Sequence, residues 1–167
     1  MSDAPHLSPQ EDRTWSLLVG VMMWLPGALD AYLGHEHGLT HAEYQVLRWL
    51  STSEESDVHM TQLAAGAGVT PSHLSRIVTR MEKKLWVTRR SDSEDARRTL
   101  ARLTDAGSQA VDRIEPGYVQ QVRRRVFEQL APGRIDQLEQ LTEAILTPLR
   151  QDCVHLLPSR TSSGPDD

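Results

Sequence analysis

MTQLAAGAGVTPSHLSRIVTRMEKKL, residues 60–85, is the stretch on which the fold turns. A short apolar-periodic run presents Met60, Leu63 and Ala64, then stops at the Gly66-Ala67-Gly68 turn. Thr70 is a good helix N-cap, and Pro71 is pre-organised for the first helical position. In the helix predicted over about 70–84, Leu74, Ile77, Val78, Met81 and Leu85 recur at steps of three and four and form one apolar stripe. The opposite face displays Ser72, His73, Ser75, Arg76, Thr79, Arg80 and Lys83. Two short helices joined by a glycine-bearing turn form a helix-turn-helix, whose second helix enters the DNA major groove. Short polar side chains at its start (Thr70, Ser72, His73, Ser75) suit base edges, and Arg76 and Arg80 suit guanine or phosphate. Two packed core helices would give the same pattern, so the flanking sequence has to decide.

C-terminal to this unit, Trp86-Val87-Thr88 and Thr99 to Leu103 read as two short strands around a polar turn, a hairpin over about 86–103. Its Arg89, Arg90, Arg97 and Arg98 suit a wing that lies along a phosphate backbone or reaches a minor groove. Upstream, Thr40 and Glu43 form a capping-box signature ahead of Val46, Leu47 and Leu50, which predicts a helix to about Ser51 and then a polar loop. Earlier still, Leu18, Val21, Met22, Leu25, Leu29 and Tyr32 make a helical stripe that Pro26 is expected to end or kink. Beyond Gly107 two more stripes follow, Val111 to Leu130 and Ile135 to Leu149. Pro132-Gly133 separates them, Pro116-Gly117 is expected to bend the first, and Pro148 to limit the second. Both ends, 1–11 and 156–167, have tail-like composition.

The chain has 167 residues, 38% hydrophobic and 25% charged, the profile of a soluble globular protein. Its formal net charge of −5 argues at first against a polyanion partner. The total hides an asymmetry. Residues 1–69 sum to −7, residues 105–167 to −3, and residues 70–104 to +5 with nine of the eighteen lysines and arginines. A compact basic segment in an acidic chain is the footprint of a nucleic-acid contact, with a solvated helix face as the competing explanation. The single cysteine excludes an internal disulfide framework. The polar start lacks a secretory pattern, and Ser16, Pro26 and Asp30 interrupt the apolar run Trp15 to Leu33, so a cytoplasmic protein with no membrane span is expected. No nucleophile elbow, P-loop or dinucleotide fingerprint is present, which leaves catalysis without support and no cofactor expected.

The residues 38–47 (GLTHAEYQVL), Leu63-Ala64 and 68–76 (GVTPSHLSR) resemble the DNA-binding region of the multiple-antibiotic-resistance-regulator (MarR) family. The most specific element is Asp95-x-Arg97, then Leu100, Leu103-Thr104 and Gly107, which is similar to the family's wing pattern. The resemblance covers roughly residues 12–150. It implies a winged helix-turn-helix homodimer, usually a repressor, on double-stranded DNA at a pseudo-palindromic operator. It further implies that Arg97 is the wing-tip arginine inserted into the minor groove and that Asp95 helps hold the wing. Family members often carry glycine where this chain has Leu85, and a left-handed residue there would cost roughly 1 kcal/mol, so a different helix-to-wing turn is expected.

The family often binds small aromatic or phenolic effectors between the dimerisation helices and the DNA-binding lobe. Trp15, Trp24, His41, Tyr44 and Arg48 have the type and location to line such a cleft, though Trp15, Trp24 and Tyr44, taken singly, fit core or interface better. Some members sense zinc, but of His35, Glu36, His37 and His41 the first and third sit two apart in a loop with glycines on both sides, and no later pair of histidines completes the set, so no metal site is expected. Cys153 has no basic neighbour in sequence and is expected to be inert. The Arg123-Arg124-Arg125 run reads as a solvated face.

The fold expected is therefore mainly α with a small β-hairpin wing, a winged helix-turn-helix flanked by N- and C-terminal dimerisation helices. Its segments are a tail over 1–11, dimerisation elements over 12–37 and 105–155, a DNA-binding lobe over 38–104 and a tail over 156–167. The function expected is a sequence-specific transcriptional regulator, not an enzyme. A helical ligand-binding or protein-interaction module without DNA binding is the alternative.

Overall fold

A computed structural model describes residues 6–93, 95 and 97–150. Six helices and three strands follow in the order α1 (Pro9–His37), α2 (His41–Thr52), β1 (Val58–His59), α3 (Met60–Gly66), α4 (Pro71–Lys83), β2 (Val87–Ser91), β3 (Thr99–Leu103), α5 (Asp105–Arg125) and α6 (Arg134–Arg150). A single 3-10 turn, Phe127–Gln129, lies between α5 and α6. The strands form one antiparallel sheet in the order β1-β3-β2, with Val87 opposite Leu103 and Val58 opposite Ala101. Strand β1 is absent from the sequence reading because two residues are too few to show an alternation. Cys153 and the 156–167 tail lie outside the described residues.

The local signals explain where most elements start. Thr40 and Glu43 close a reciprocal capping box on α2, and the Thr70 side chain accepts from the His73 amide with Pro71 in the first turn of α4. Thr104 caps α5 through the Gly107 amide at 3.0 Å. The core lies where α2, α3, α4 and α5 meet the sheet, and it contains Tyr44, Val46, Leu47, Leu63, Leu74, Ile77, Val78, Met81, Val87 and Ala101.

Three expectations about helices need correcting. Helix α1 begins at Pro9, inside the expected tail, because Ser8 and Glu11 form a second capping box. It then runs unbroken through Pro26 to Gly38, whose left-handed conformation (φ 62°) ends it, so His35 and His37 occupy its last turn and not a loop. Proline removes one backbone bond at Pro26, but the caps at both ends and burial of Leu29 and Leu33 in the core hold the helix on either side. Helix α5 contains Pro116, where a bend and not an end is expected, and α6 contains Pro148, two residues before the last one described. By length and composition alone α1 would cross a membrane. Its Leu29 and Leu33 are buried in the core, and its Asp30 carboxylate accepts a hydrogen bond from the His41 amide.

The turn after α4 keeps the left-handed residue despite the leucine. Leu85 has φ 60°, the sole non-glycine residue with positive φ among those described. The Trp86 amide donates to the Met81 carbonyl at 3.0 Å, closing a Schellman-type end. The Leu85 carbonyl accepts from the Thr104 hydroxyl at 2.7 Å, tying the turn to the start of α5. Leu85 is consequently exposed and leaves the apolar stripe to which its spacing assigned it. The strain, about 1–2 kcal/mol for a left-handed leucine, is offset by these bonds.

Candidate nucleic-acid interface

Helices α3 and α4 meet through a turn in which Gly68 has φ 65°, and any side chain at Gly66 would overlap the Trp49 ring. Burial of Leu74, Ile77, Val78 and Met81 turns the opposite face of α4 outward. Thr70, Ser72, Ser75, Arg76 and Thr79 are exposed there, with His73 half-buried. Arg76 has no ion pair among the described residues. Arg80 is different: its Nε donates to the Glu43 carboxylate at 2.6 Å, and Glu43, only 5% exposed, is the single buried charged residue described.

The hairpin projects beside this face. At its tip the Asp92 amide donates to the Arg98 carbonyl at 3.0 Å and the Arg98 amide to the Asp95 carbonyl at 2.8 Å. The Asp95 carboxylate accepts from the Arg97 amide (3.0 Å) and from Arg97 Nε (3.2 Å), and these bonds hold its pKa below the ordinary carboxylate range. The Arg97 side chain is otherwise 92% exposed. Between α4 and the hairpin runs a groove of about 730 Å³ lined by His59, Thr61, Gln62, Ser75, Arg89, Arg97 and Arg98.

The arginines at the hairpin base are held by carboxylates. Arg89 is bound to Glu82 and Thr79 on α4. Arg90 gives Asp57 two hydrogen bonds, from Nε at 3.1 Å and Nη2 at 2.9 Å. Arg102 reaches the same carboxylate through Nε at 3.0 Å and through Nη2. Hydrogen bonds from both guanidiniums drive the Asp57 carboxyl far below its usual pKa. Thus Ser75, Arg97 and Arg98 line one groove and Thr70, Ser72, His73 and Arg76 lie on the solvent-facing side of α4, whereas Arg80, Arg89 and Arg90 also serve as internal partners. Asp57 and Glu43 carry no signal of these roles in the sequence, because each meets its arginine across more than thirty residues.

A second concavity, about 680 Å³, lies between α2, α5, the 3-10 turn and α6, lined by Arg48, Tyr118, Val119, Val122, Arg123, Phe127, Glu128 and Ile135. Of the five residues expected at an effector cleft, only Arg48 lines it, 3.5 Å from Glu115. His41 and Tyr44 stand behind its wall: the imidazole and the Tyr118 hydroxyl share a 3.0 Å hydrogen bond, and the Tyr44 and Tyr118 rings lie 4.5 Å apart. Burial lowers the His41 pKa, with Asp30 opposing, and raises that of Tyr44 to about 12. The Tyr44 hydroxyl is buried without a hydrogen-bond partner among the described residues. Trp15 and Trp24, 53% and 79% exposed on α1, do not line the cleft in the single chain. No group of three or more metal-ligating side chains is found among the described residues.

A sequence model of the MarR family matches residues 37–98, the span from the α1–α2 turn to the wing tip. The crystal structure of Sco3205, a MarR family transcriptional regulator from Streptomyces coelicolor in complex with DNA, is 32% identical. It covers 93% of this chain and 97% of its own, with a TM-score of 0.80. The chain belongs to the MarR family of transcriptional regulators. AbsC, a MarR regulator of the same organism, is similar at 31% identity and a TM-score of 0.80, over 89% of this chain and 99% of its own. The transcriptional repressor MprA of Escherichia coli K12 is 25% identical over 114 residues, 68% of this chain. That match spans 64% of MprA, less than two thirds of the curated relative. MarR architecture is therefore the frame for the α4 face and the hairpin: a winged helix-turn-helix in a mainly helical chain.

Proposed function

We propose that this chain is a homodimeric repressor that binds a pseudo-palindromic operator. In this reading α4 enters the major groove and Thr70, Ser72, His73, Ser75 and Arg76 meet base edges and flanking phosphates. The wing lies at the minor groove, with Arg97 at its tip and Arg98 beside it. The observation that carries the reading is the shared groove: Ser75 on the polar side of α4 and the wing-tip arginines line it together, with Leu74, Ile77, Val78 and Met81 of α4 buried behind them. Symmetric half-sites about 34–36 Å apart require two copies. We assign their contact to 12–37 and 105–155, because α1 and α6 leave the large apolar side chains Val21, Met22, Trp24, Leu141, Ile145 and Leu149 exposed, and exposed apolar surface of this kind marks interaction sites. A second copy over these helices also accounts for the apolar length of α1 and fits a cytoplasmic protein.

The cleft beside Tyr118 is proposed as the effector site. Its apolar wall (Val119, Val122, Phe127) with Arg48 and Arg123 at the rim suits a small aromatic anion such as a phenolic acid. A ligand there would release DNA by favouring a dimer whose two α4 helices are wrongly spaced.

The test is selection of duplexes by the purified protein from a random-sequence library, followed by affinity measurements on the enriched duplex and on a random one. A steep fall in affinity with salt and a strong preference for the enriched duplex are expected. Arg76→Ala should relax that preference by about 1–3 kcal/mol. Failure to enrich any duplex would return the chain to the reading of a helical ligand-binding module.

A further inference from the structure

Arg80 of α4 and Lys84 at its C-cap stand one helical turn apart, and both reach back to the turn between α1 and α2. Arg80 Nε lies 2.6 Å from Glu43 Oε1, and Lys84 Nζ lies 3.4 Å from the Gly38 carbonyl and over the Trp86 ring. Glu43 is the more constrained partner. Its other oxygen already accepts from the Thr40 amide at 2.8 Å, as the return half of the α2 capping box. A carboxylate that is almost wholly buried and fixed at one oxygen leaves little freedom for a guanidinium bound at the other. The same turn is anchored on its far side, where the His41 amide donates to Asp30 of α1 and the His41 ring meets Tyr118 of α5. The C-terminal half of α4 is therefore referenced to a rigid corner shared by α1, α2 and α5, while its N-terminal half is left to the solvent-facing groove.

We infer that Arg80 is a positioning residue: it acts on DNA through Glu43, setting the angle of α4, and makes neither a base nor a phosphate contact of its own. The inference rests on the DNA-binding reading above. It also connects the corner behind the Tyr118 cleft to the recognition helix by one ion pair, between the buried Glu43 carboxylate and the half-exposed Arg80.

The experiment uses the full chain, the duplex it enriches from a random library, and a random duplex of equal length, at several salt concentrations. Glu43→Gln keeps an acceptor for the Thr40 amide but removes the charge that holds Arg80, and Arg80→Gln removes the other half. Each is expected to lower the enriched-to-random affinity ratio about tenfold, and the double variant to be no worse than the worse single one. Affinity for the random duplex and the slope of log affinity against log salt should stay at the parent values. Arg80→Lys, which keeps the charge, should recover part of the ratio.

A purely structural role would lower the melting temperature and leave the ratio intact in assays run well below it. That outcome overturns the inference. So does an Arg80→Gln slope that falls by about 0.9 for each phosphate released while Glu43→Gln binds like the parent, since that places Arg80 directly on the DNA backbone. Should Glu43→Gln fail to fold, the slope and ratio of Arg80→Gln and Arg80→Lys decide by the same criteria. If the parent enriches no duplex, the DNA-binding reading fails and takes this inference with it. Parent binding with independent, additive variants sinks the inference alone.

Discussion

Asp57→Asn should weaken the fold and at the same time strengthen indiscriminate DNA binding. The carboxylate, 13% exposed, receives two hydrogen bonds from Arg90 and two from Arg102, so it bolts β2 and β3 to the segment entering β1. Each guanidinium is about half exposed, which places each pair in the range of solvent-screened ion pairs, about 0.2–1 kcal/mol. Two-pronged geometry and a buried acceptor put both near the top of that range, so the loss is about 1–2 kcal/mol. At about 2–4 °C per kcal/mol for a chain of this size, the melting temperature should fall by roughly 2–8 °C. The same change frees two hairpin arginines, one on β2 and one on β3, and raises the net charge of the lobe by one per protomer. If each protomer of a dimer then neutralises one further phosphate, the slope of log affinity against log salt steepens by about 2. Fluorescence anisotropy on a random duplex, with a thermal melt of the same preparation, reads both effects. An unchanged melting temperature would show that the Asp57 clamp does not hold the wing. A slope equal to or shallower than the parent's would show that Arg90 and Arg102 do not face DNA.

Arg97→Ala should weaken binding to enriched and random duplexes alike, with the salt slope reduced by about 0.9 for each phosphate it ceases to neutralise; affinities equal to the parent's would remove Arg97 from the interface. His41 supplies a pH test. Burial lowers its pKa from about 6.5, so in that region the unfolded chain binds more protons than the folded one and stability rises with pH. The contribution is present above about pH 6.5 and is lost as pH falls from there towards the folded value. Melts between about pH 7.5 and 5 should therefore decline less for His41→Gln than for the parent, and parallel profiles would refute the assignment.

What the sequence made legible was local. The caps at Thr40 and Thr70, the α4 stripe from Leu74 to Met81, and the wing between Val87 and Leu103 all follow from residues within a few positions of one another. Proline is the informative failure. Pro26 reads as the end or a kink of its helix, yet it sits inside a continuous one, because one missing backbone bond is outweighed by caps and by packing set elsewhere. Leu85 behaves in a related way: its side chain disfavours the left-handed turn, but the Trp86–Met81 and Thr104–Leu85 bonds impose it. The candidate site was half legible. Arg76 and Arg97 could be placed by helix face and wing pattern. The partners of Arg80, Arg90 and His41 could not, since they lie 37, 33 and 77 residues away.

Those distant partners change what the basic segment means. Residues 70–104 carry nine lysines and arginines, which in a dimer would offer eighteen phosphate contacts and a salt slope of about −16 if all engaged. In the fold, Arg80, Arg89, Arg90 and Arg102 each have a carboxylate partner, and Lys84 lies over Trp86. Two of those carboxylates, Glu43 and Asp57, come from the acidic 1–69 segment, whose charge is thus partly drawn into the lobe and not simply turned away from it. What remains to face a phosphate backbone is Arg76, Lys83, Arg97 and Arg98, the last two sharing Asp95 until a phosphate competes for them. Four such cations per protomer correspond to a slope of about −7 for a dimer. A slope of about −7 on a random duplex supports a fold that commits most of its arginines to holding helix and wing in place. One approaching about −16 would mean that the ion pairs at Glu43, Glu82 and Asp57 open on DNA.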